Sequence, residues 1–226
     1  MTETDREGDP VGGLRERKKR RTRQNISDIA TGLFLERGFD AVTVAQIAEV
    51  AEVSVNTVYN YFPAKEDLFF DREAEVVERL ALIVRDRPVG ESATRAILNS
   101  LRRDVDRRAP QIGLVAGYER FMQVMHSSPA LMARLWRMQQ LGADTLAATL
   151  ADEAGADPDD PVPALIAGQL AGIQQALFRG IGRAIGGGGD PEDAARHALR
   201  QLDAVESLLS TEVLDYAIRV GDARRP

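Results

Sequence analysis

The chain of 226 residues contains no cysteine, which excludes disulfide bonds, thiolate metal sites and a cysteine nucleophile. Histidine is scarce as well, since only His126 and His197 occur and they lie far apart in sequence. No metal site is expected, because His126 has no second ligand nearby at a usable spacing. The sequence therefore indicates a protein that folds without covalent or metal cross-links.

Long apolar runs and enzyme signatures are absent too. The longest unbroken aliphatic run, residues 80–84, is far shorter than a membrane span, and residues 1–23 are almost wholly polar, unlike a signal peptide. Neither H-E-x-x-H nor G-x-S-x-G occurs, and the glycines at 186–189 precede Asp190 where a phosphate loop needs Lys. We expect a cytoplasmic protein that is not an enzyme and has no cofactor.

Charge is distributed unevenly along the chain. The total is −6, but residues 14–23 carry seven basic residues and one acid, a local charge of +6 that leaves −12 elsewhere. A dense cationic segment on an acidic protein indicates contact with a polyanion at one defined place. The alternative is a solvated tail without a partner. In either case we expect residues 1–22 to form a flexible basic arm.

Two helices are predicted directly after the basic segment. Apolar residues recur with a helical period from Ile26, and Gly38 can end that helix in the left-handed conformation. Thr43 and Gln46 then form a T-x-x-Q capping box, which marks the start of a short second helix.

A third short helix follows a tight turn. Ser54 can cap this helix and Pro63 forces its end. Val55, Val58 and Phe62 are expected in the core. The other positions of the helix are polar: Asn56, Thr57, Tyr59, Asn60 and Tyr61. None of them is an acid, whose charge would repel phosphate. Three short helices with such a third helix are typical of a helix-turn-helix.

The stretch V-S-V-N-T-V-Y-N-Y-F-P-A-K-E-D-L at residues 53–68 resembles the DNA-binding domain of the TetR family of bacterial transcriptional repressors. The resemblance implies that Thr43 contacts the DNA backbone and that Tyr59 and Lys65 hold phosphates. It places five residues at the major groove or its rim: Ser54, Asn56, Thr57, Tyr59 and Asn60. Base reading falls chiefly to Asn56, Thr57 and Asn60, with Tyr61 as a further candidate, since amides and hydroxyls both donate and accept.

The sequence departs from the family pattern at two positions. Glu52 stands in the turn where most relatives have Gly, and a left-handed conformation there costs a non-glycine residue roughly 1 kcal/mol. Ala64 stands where many relatives have a Ser that caps the next helix, and losing such a cap costs about 1 kcal/mol.

The rest of the chain shows helical periodicity and no strand pattern, so the fold class is all-α. We expect a three-helix helix-turn-helix domain at residues 23–68, followed by a larger helical domain for effector binding and dimerisation at residues 69–226. The expected helices beyond the third cover residues 65–85, 92–108, 112–126, 129–153, 162–185 and 191–219.

The last two predicted helices carry faces suited to another chain. Gly168 and Gly172 permit close backbone approach, and the final helix has an apolar seam composed of Ala195, Ala198, Leu199, Leu202, Val205 and Leu209. Such faces pack either within one subunit or against a second copy. The resemblance implies a homodimer formed through these two helices.

Methionine and aromatic residues cluster between the predicted DNA-binding domain and the last two predicted helices, and Phe178 follows later in the chain. Methionine side chains adapt to irregular ligands. The candidate effector pocket consists of Tyr118, Met122, Met125, His126, Trp136 and Phe178. Plain core packing is the alternative for each of them. The resemblance implies a small, partly apolar effector, either acyl-CoA-like or another long apolar ligand, that releases a repressor from a palindromic operator. An architectural or constitutive DNA-binding protein without an effector is the alternative function.

Overall fold

A computed structural model describes residues 10–114 and 117–221, and the regular structure within these ranges is entirely helical. The all-α class is thus confirmed. The helices are α1 (Pro10–Arg37), α2 (Val44–Val50), α3 (Val55–Tyr61), α4 (Lys65–Phe69), α5 (Glu73–Arg85), α6 (Ala93–Asp106), α7 (Tyr118–Ser127), α8 (Pro129–Ala154), α9 (Val162–Gly186), α10 (Pro191–Leu208) and α11 (Thr211–Leu214). The chain divides into two compact units, one ending at Asp71 and one beginning at Arg72.

The first unit is built on the apolar face of α1. Ile26, Ala30 and Phe34 are fully buried, and α1 ends where Gly38 adopts a φ of 88°, as the sequence predicted. The ring of Phe34 packs against those of Phe39 and Phe69 with centroids 4.9 and 6.1 Å apart. This aromatic cluster joins the end of α1 to α4 and supports the two short helices between them.

The basic segment is helical, which corrects part of the predicted flexible arm. Residues 10–22 form the first half of α1, while residues 1–9 lie outside the described residues. Residues 14–21 read L-R-E-R-K-K-R-R, all of them good helix formers, so a helix anchored at Ile26 extends through them readily. The seven cations are therefore held at fixed angles around a helix.

The predicted single helix over residues 65–85 is wrong, because the structure divides it into α4 and α5. Phe69 is buried in the aromatic cluster and Asp71 accepts a hydrogen bond from Ser27, so the chain turns at residues 70–72 to keep both contacts. Val76 is exposed, whereas the buried residues of α5 are Val77, Leu80, Ala81 and Val84.

The second unit encloses one core between α5, α6, α8, α9 and α10. Its centre contains Leu101, Leu146, Leu170 and Leu202, each with no exposed surface. Helices α5 and α8 approach each other closely at Gly142, where a Cβ atom would lie 3.5 Å from the carbonyl oxygen of Val77. Among the described residues, no helix is both long and apolar enough to cross a membrane.

Two helices of the second unit are shorter than predicted. The helix expected over 112–126 begins only at Tyr118, because Gly113 and Gly117 adopt φ values of 84° and 85°. The helix expected over 191–219 ends at Leu208. Leu209 is extended there, and Ser210 caps the separate helix α11.

The apolar seam of α10 faces its own subunit. Ala198 and Leu202 are buried in the core, and the rest of the seam is partly buried against it. Packing within one subunit, one of the two alternatives for this seam, therefore accounts for it. On α9, by contrast, Leu165 is 63% exposed, and Gly168 and Gly172 face open space.

The chain's last described residues lie along the turn between α5 and α6. The N–H groups of Gly90 and Arg219 donate to the carbonyl oxygens of Arg219 and Glu91 at 2.9 and 3.0 Å, and the N–H of Ala93 donates to Tyr216 at 3.1 Å. The guanidinium of Arg219 also donates to the carbonyl oxygens of Arg85 and Arg87, both at 2.6 Å. This segment therefore caps the end of α5.

Arg87 lies at the centre of that turn and is 3% exposed. Its guanidinium forms an ion pair of 2.7 Å with Glu153 of α8 and donates to the carbonyl oxygens of Val84, Glu91 and Ala217. A buried charge is tolerated only when it is paired and hydrogen-bonded, and Arg87 meets both conditions. It links α5, α8 and the C-terminal segment.

Candidate nucleic-acid interface

Helix α2 begins with the capping box that the sequence predicted. The hydroxyl of Thr43 accepts the N–H of Gln46 at 3.2 Å, and the side-chain oxygen of Gln46 accepts the N–H of Thr43 at 2.8 Å. Ile47 and Ala48 are buried on the opposite side of the helix. Thr43 is thus an exposed residue with a fixed position at the start of α2.

The turn between α2 and α3 is a Schellman motif centred on Glu52. The N–H of Val53 donates to Ala48 at 3.0 Å and that of Glu52 to Glu49 at 3.1 Å, while Glu52 adopts a φ of 55°. The left-handed conformation expected at this non-glycine residue is therefore present, at a cost of roughly 1 kcal/mol. The exposed carboxylate of Glu52 also adds negative charge beside α3.

Helix α3 has one buried side and one exposed polar side. Ser54 caps it as predicted, since its hydroxyl accepts the N–H of Thr57 at 3.0 Å and lies 2.8 Å from the Thr57 hydroxyl. Asn56, Tyr59 and Asn60 are exposed, and within the described ranges their side chains make no hydrogen bond. Because Asn56 and Asn60 are four residues apart, their amides lie on the same face of the helix.

Val55 is 41% exposed, so its predicted place in the core is wrong. It lies in the first turn of α3, four residues before the exposed Tyr59, and belongs to the same face. Val58 and Phe62 are buried as predicted. Tyr61 is half-buried. The exposed face thus contains one branched apolar side chain, which the sequence pattern did not predict there.

Lys65 is directed toward the interior of the first unit rather than outward. Its ammonium donates to the carbonyl oxygen of Phe39 at 2.6 Å and lies 4.2 Å from the centroid of the Phe39 ring. Burial lowers the pKa of this ammonium, with the nearby carboxylates of Asp40 and Glu66 acting in the opposite direction. The phosphate contact implied for Lys65 therefore competes with a cation–π contact and a hydrogen bond within the unit.

Ala64 lacks a capping side chain, but half of a capping box is present at the start of α4. The carboxylate of Asp67 accepts the N–H of Ala64 at 2.8 Å. An acid in the first turn is also favoured by the helix dipole. Asp67 thereby offsets part of the stability that the missing Ser would give.

The six residues expected to line an effector pocket do not all meet. Trp136 is 65% exposed on α8, and His126 is exposed at the end of α7. Met125 is buried, while Tyr118, Met122 and Phe178 are partly buried. The structure therefore leaves Trp136 and His126 outside the interior of the subunit.

Tyr118 and Met122 do come together, against α9. A Cβ atom at Gly182 would lie 3.7 Å from the ring of Tyr118 and 3.7 Å from the terminal methyl group of Met122. Burial raises the pKa of the Tyr118 hydroxyl. Two hollows of the second unit lie elsewhere, one beside Arg87 and Arg219 and one beside Asp190 and His197.

Two family descriptions cover most of the chain. Residues 26–71 match the bacterial regulatory proteins of the tetR family, and residues 88–207 match the MftR C-terminal domain of the same group. TcmR, an HTH-type transcriptional regulator of Streptomyces glaucescens, is 31% identical over 177 residues, which are 76% of this chain and 75% of TcmR. LuxR, an HTH-type transcriptional regulator of Vibrio harveyi, is 41% identical over 64 residues, which are 28% of this chain and 31% of LuxR.

Solved structures show the same fold at lower identity. NalD of Pseudomonas aeruginosa, described as the secondary repressor of the MexAB-OprM multidrug efflux pump, has a TM-score of 0.55 at 23% identity over 82% of this chain and 96% of NalD. SmeT in complex with triclosan has a TM-score of 0.54 at 19% identity over 91% of this chain and 98% of SmeT. The chain thus belongs to the tetR family of bacterial regulatory proteins and is a DNA-binding transcriptional regulator, not an enzyme.

Proposed function

We propose that this regulator is a repressor that occupies a palindromic operator as a homodimer and is released by a small, partly apolar effector. The observation that carries the DNA-binding part is the exposed, acid-free face of α3, on which the side chains of Asn56, Tyr59 and Asn60 have no hydrogen-bond partner among the described residues. Such groups have the donors and acceptors that distinguish base pairs in the major groove. A regulator of chromosomal genes acts in the cytoplasm, and we include that location in the proposal.

The exposed face divides into base-reading and phosphate-holding residues. Asn56 and Asn60 lie one turn apart and read base edges, and Val55 contacts a thymine methyl group, the apolar feature of the major groove. Around them, a second set holds the DNA backbone or the rim of the groove: Thr43, Ser54, Thr57, Tyr59 and Tyr61. Lys65 contributes mainly by fixing α4 against Phe39.

Dimerisation is proposed through α9 and α10. With the seam of α10 packed inward, the outward surface of α9 around Leu165, Gly168 and Gly172 is the better-supported part of the interface. An isologous interface gives a two-fold axis, and two α3 helices related by that axis read an inverted repeat. The alternative of binding by charge alone predicts no such symmetry.

The effector site is proposed near Tyr118, Met122, Met125 and Phe178, which are buried or partly buried side chains of α7 and α9. Flexible methionines beside aromatic rings suit a long apolar chain, such as that of an acyl-CoA thioester. A ligand releases DNA only if it binds the released state more tightly than the DNA-bound state. The four side chains of this site must therefore move apart to admit the apolar chain of the ligand.

The DNA-reading part is tested by selecting binding sites from random duplexes. The parent protein should yield one inverted repeat, and Asn60→Ala should relax the preference at one position of each half-site, costing about 1 to 3 kcal/mol on the parent sequence. Asn25→Ala, an exposed amide on α1, serves as the control and should leave the consensus unchanged. Selected duplexes without any consensus sequence would favour the architectural alternative.

The effector part is tested on the same operator complex. Acyl-CoA thioesters and free fatty acids of increasing chain length should release the DNA saturably, with the midpoint falling as the chain lengthens, because each buried methylene contributes about 0.8 kcal/mol. Met125→Ala should change the preferred length. An operator complex that resists every apolar ligand would leave a constitutive DNA-binding protein.

A further inference from the structure

Three side chains meet at the carboxyl end of the first unit. Arg23 and Ser27 lie four residues apart on one face of α1, and both reach Asp71, the last residue of that unit. A nitrogen of the Arg23 guanidinium donates to the carbonyl oxygen of Asp71 at 3.0 Å. The Ser27 hydroxyl donates to the Asp71 carboxylate at 2.7 Å. We call this group the Arg23–Ser27–Asp71 latch.

Arg23 differs from the other cations of the basic segment. The six at residues 15–21 are exposed, whereas Arg23 is partly buried. Its guanidinium lies 4.6 Å from the centroid of the Phe62 ring, within the range of a cation–π contact. Nothing in the sequence distinguishes Arg23, because it merely ends a run of basic residues. Its surroundings indicate a task other than holding phosphate.

One guanidinium therefore joins two functionally different points. Phe62 is the residue that ends α3, and it is 1% exposed, so its ring moves only with the helix. Asp71 is the residue at which the chain leaves the unit. Since the guanidinium is planar and rigid, it fixes the distance between the end of α3 and that exit.

Ser27 strengthens the same connection from within the core. It is 2% exposed, and its hydroxyl bonds a carboxylate, which makes the hydrogen bond charge-assisted. Such a buried side chain has no access to DNA. Any effect of Ser27 on DNA binding must therefore act through the position of Asp71.

We propose that Arg23 and Ser27 are positioning residues that hold α3 at the angle required for specific DNA binding. The inference rests on the proposed reading role of α3. A misaligned α3 loses base contacts that need exact geometry but keeps phosphate contacts that do not. Opening the latch therefore lowers affinity for the operator and spares affinity for unrelated DNA.

The test compares Arg23→Met with the matched control Arg21→Met. Methionine keeps the unbranched apolar stem of the side chain and removes the charge and the donors. Arg23→Met should weaken operator binding about tenfold, as expected for loss of a hydrogen bond that a charged group donates, with non-specific affinity and salt dependence unchanged. Arg21→Met should weaken both kinds of binding equally and reduce the slope of log K against log salt by at most about one.

Two further variants keep the test decisive. Ser27→Ala should lower the ratio of specific to non-specific affinity in the same direction, and Arg23→Lys, which keeps the cation over Phe62, should restore part of it. Circular dichroism at the assay temperature verifies that each variant is folded. If Arg23→Met lost equal affinity for the operator and for unrelated DNA, with a smaller salt slope, Arg23 would be a phosphate contact. If folded Ser27→Ala kept the parental ratio of specific to non-specific affinity, the proposed role of the latch would be wrong.

These outcomes are separable from a failure of the proposed function. If α3 does not read DNA, Asn60→Ala also keeps the parental consensus. If α3 reads DNA and the latch has no role, Asn60→Ala relaxes the consensus while Ser27→Ala retains the parental ratio of specific to non-specific affinity.

Discussion

Neutralising the basic half of α1 should lower affinity for every DNA sequence and leave the preferred sequence unchanged. The six exposed cations at residues 15–21 can follow phosphates, which carry no sequence information. Their helical arrangement limits how many act at once. Arg15, Lys18 and Lys19 lie on one face, and the opposite face carries Arg17, Arg20 and Arg21.

Two triple variants exploit that division. Replacing each set of three by glutamine should give unequal results, because only the face turned to DNA contacts phosphates. One triple should reduce the slope of log K against log salt by about 3 and the other by much less. Binding isotherms at several salt concentrations provide the slopes. Equal reductions from both triples would contradict a helical segment on DNA, and an altered consensus would make the segment a base reader.

Replacing Arg87 by leucine should destabilise the second unit by about 3 to 5 kcal/mol. The substitution leaves Glu153 without its cation and removes the donors that satisfy the carbonyl oxygens of Val84, Glu91 and Ala217. It also removes one of the hydrogen bonds that hold the C-terminal segment to the end of α5, the one accepted by Ala217. Native proteins are stable by only about 5 to 15 kcal/mol, so this loss is a large share of the total.

Thermal unfolding measures the effect. For a unit of this size the midpoint should fall by about 10 °C. The matched control is Arg196→Leu, because Arg196 forms ion pairs with Glu192 and Asp193 while remaining exposed. Exposed pairs contribute about 0 to 1 kcal/mol, so the control should unfold near the parent. Similar midpoints for both variants would show that the Arg87 network adds no stability.

Local signals made the helix-turn-helix readable from the sequence. The caps at Thr43 and Ser54 and the left-handed Gly38 depend on neighbours within four residues, and all three have the predicted geometry. The resemblance, by contrast, is what singled out Glu52, which stands where most relatives have Gly. The all-α class and the family followed from these elements together with the resemblance.

The differences between the predicted and the observed structure arise from contacts between residues that are distant in sequence. Nothing in the sequence of residues 65–85 breaks a helix, and the break results from Phe69 in the aromatic cluster and Asp71 on Ser27. The direction of Lys65 depends on the carbonyl oxygen of Phe39, 26 residues away. Likewise, an apolar seam on α10 has the same pattern whether it packs inside or between subunits.

The exposed position of Trp136 gives this protein a built-in optical reporter. It is the single tryptophan of the chain and is 65% exposed on α8, so its emission arises from an indole in contact with water. Any partner or ligand that covers this face of α8 should shift the emission to shorter wavelength, and no dye or engineered residue is needed to observe it. An emission that stays at long wavelength and easily quenched while the partner or ligand is titrated would mean that this face of α8 remains in water.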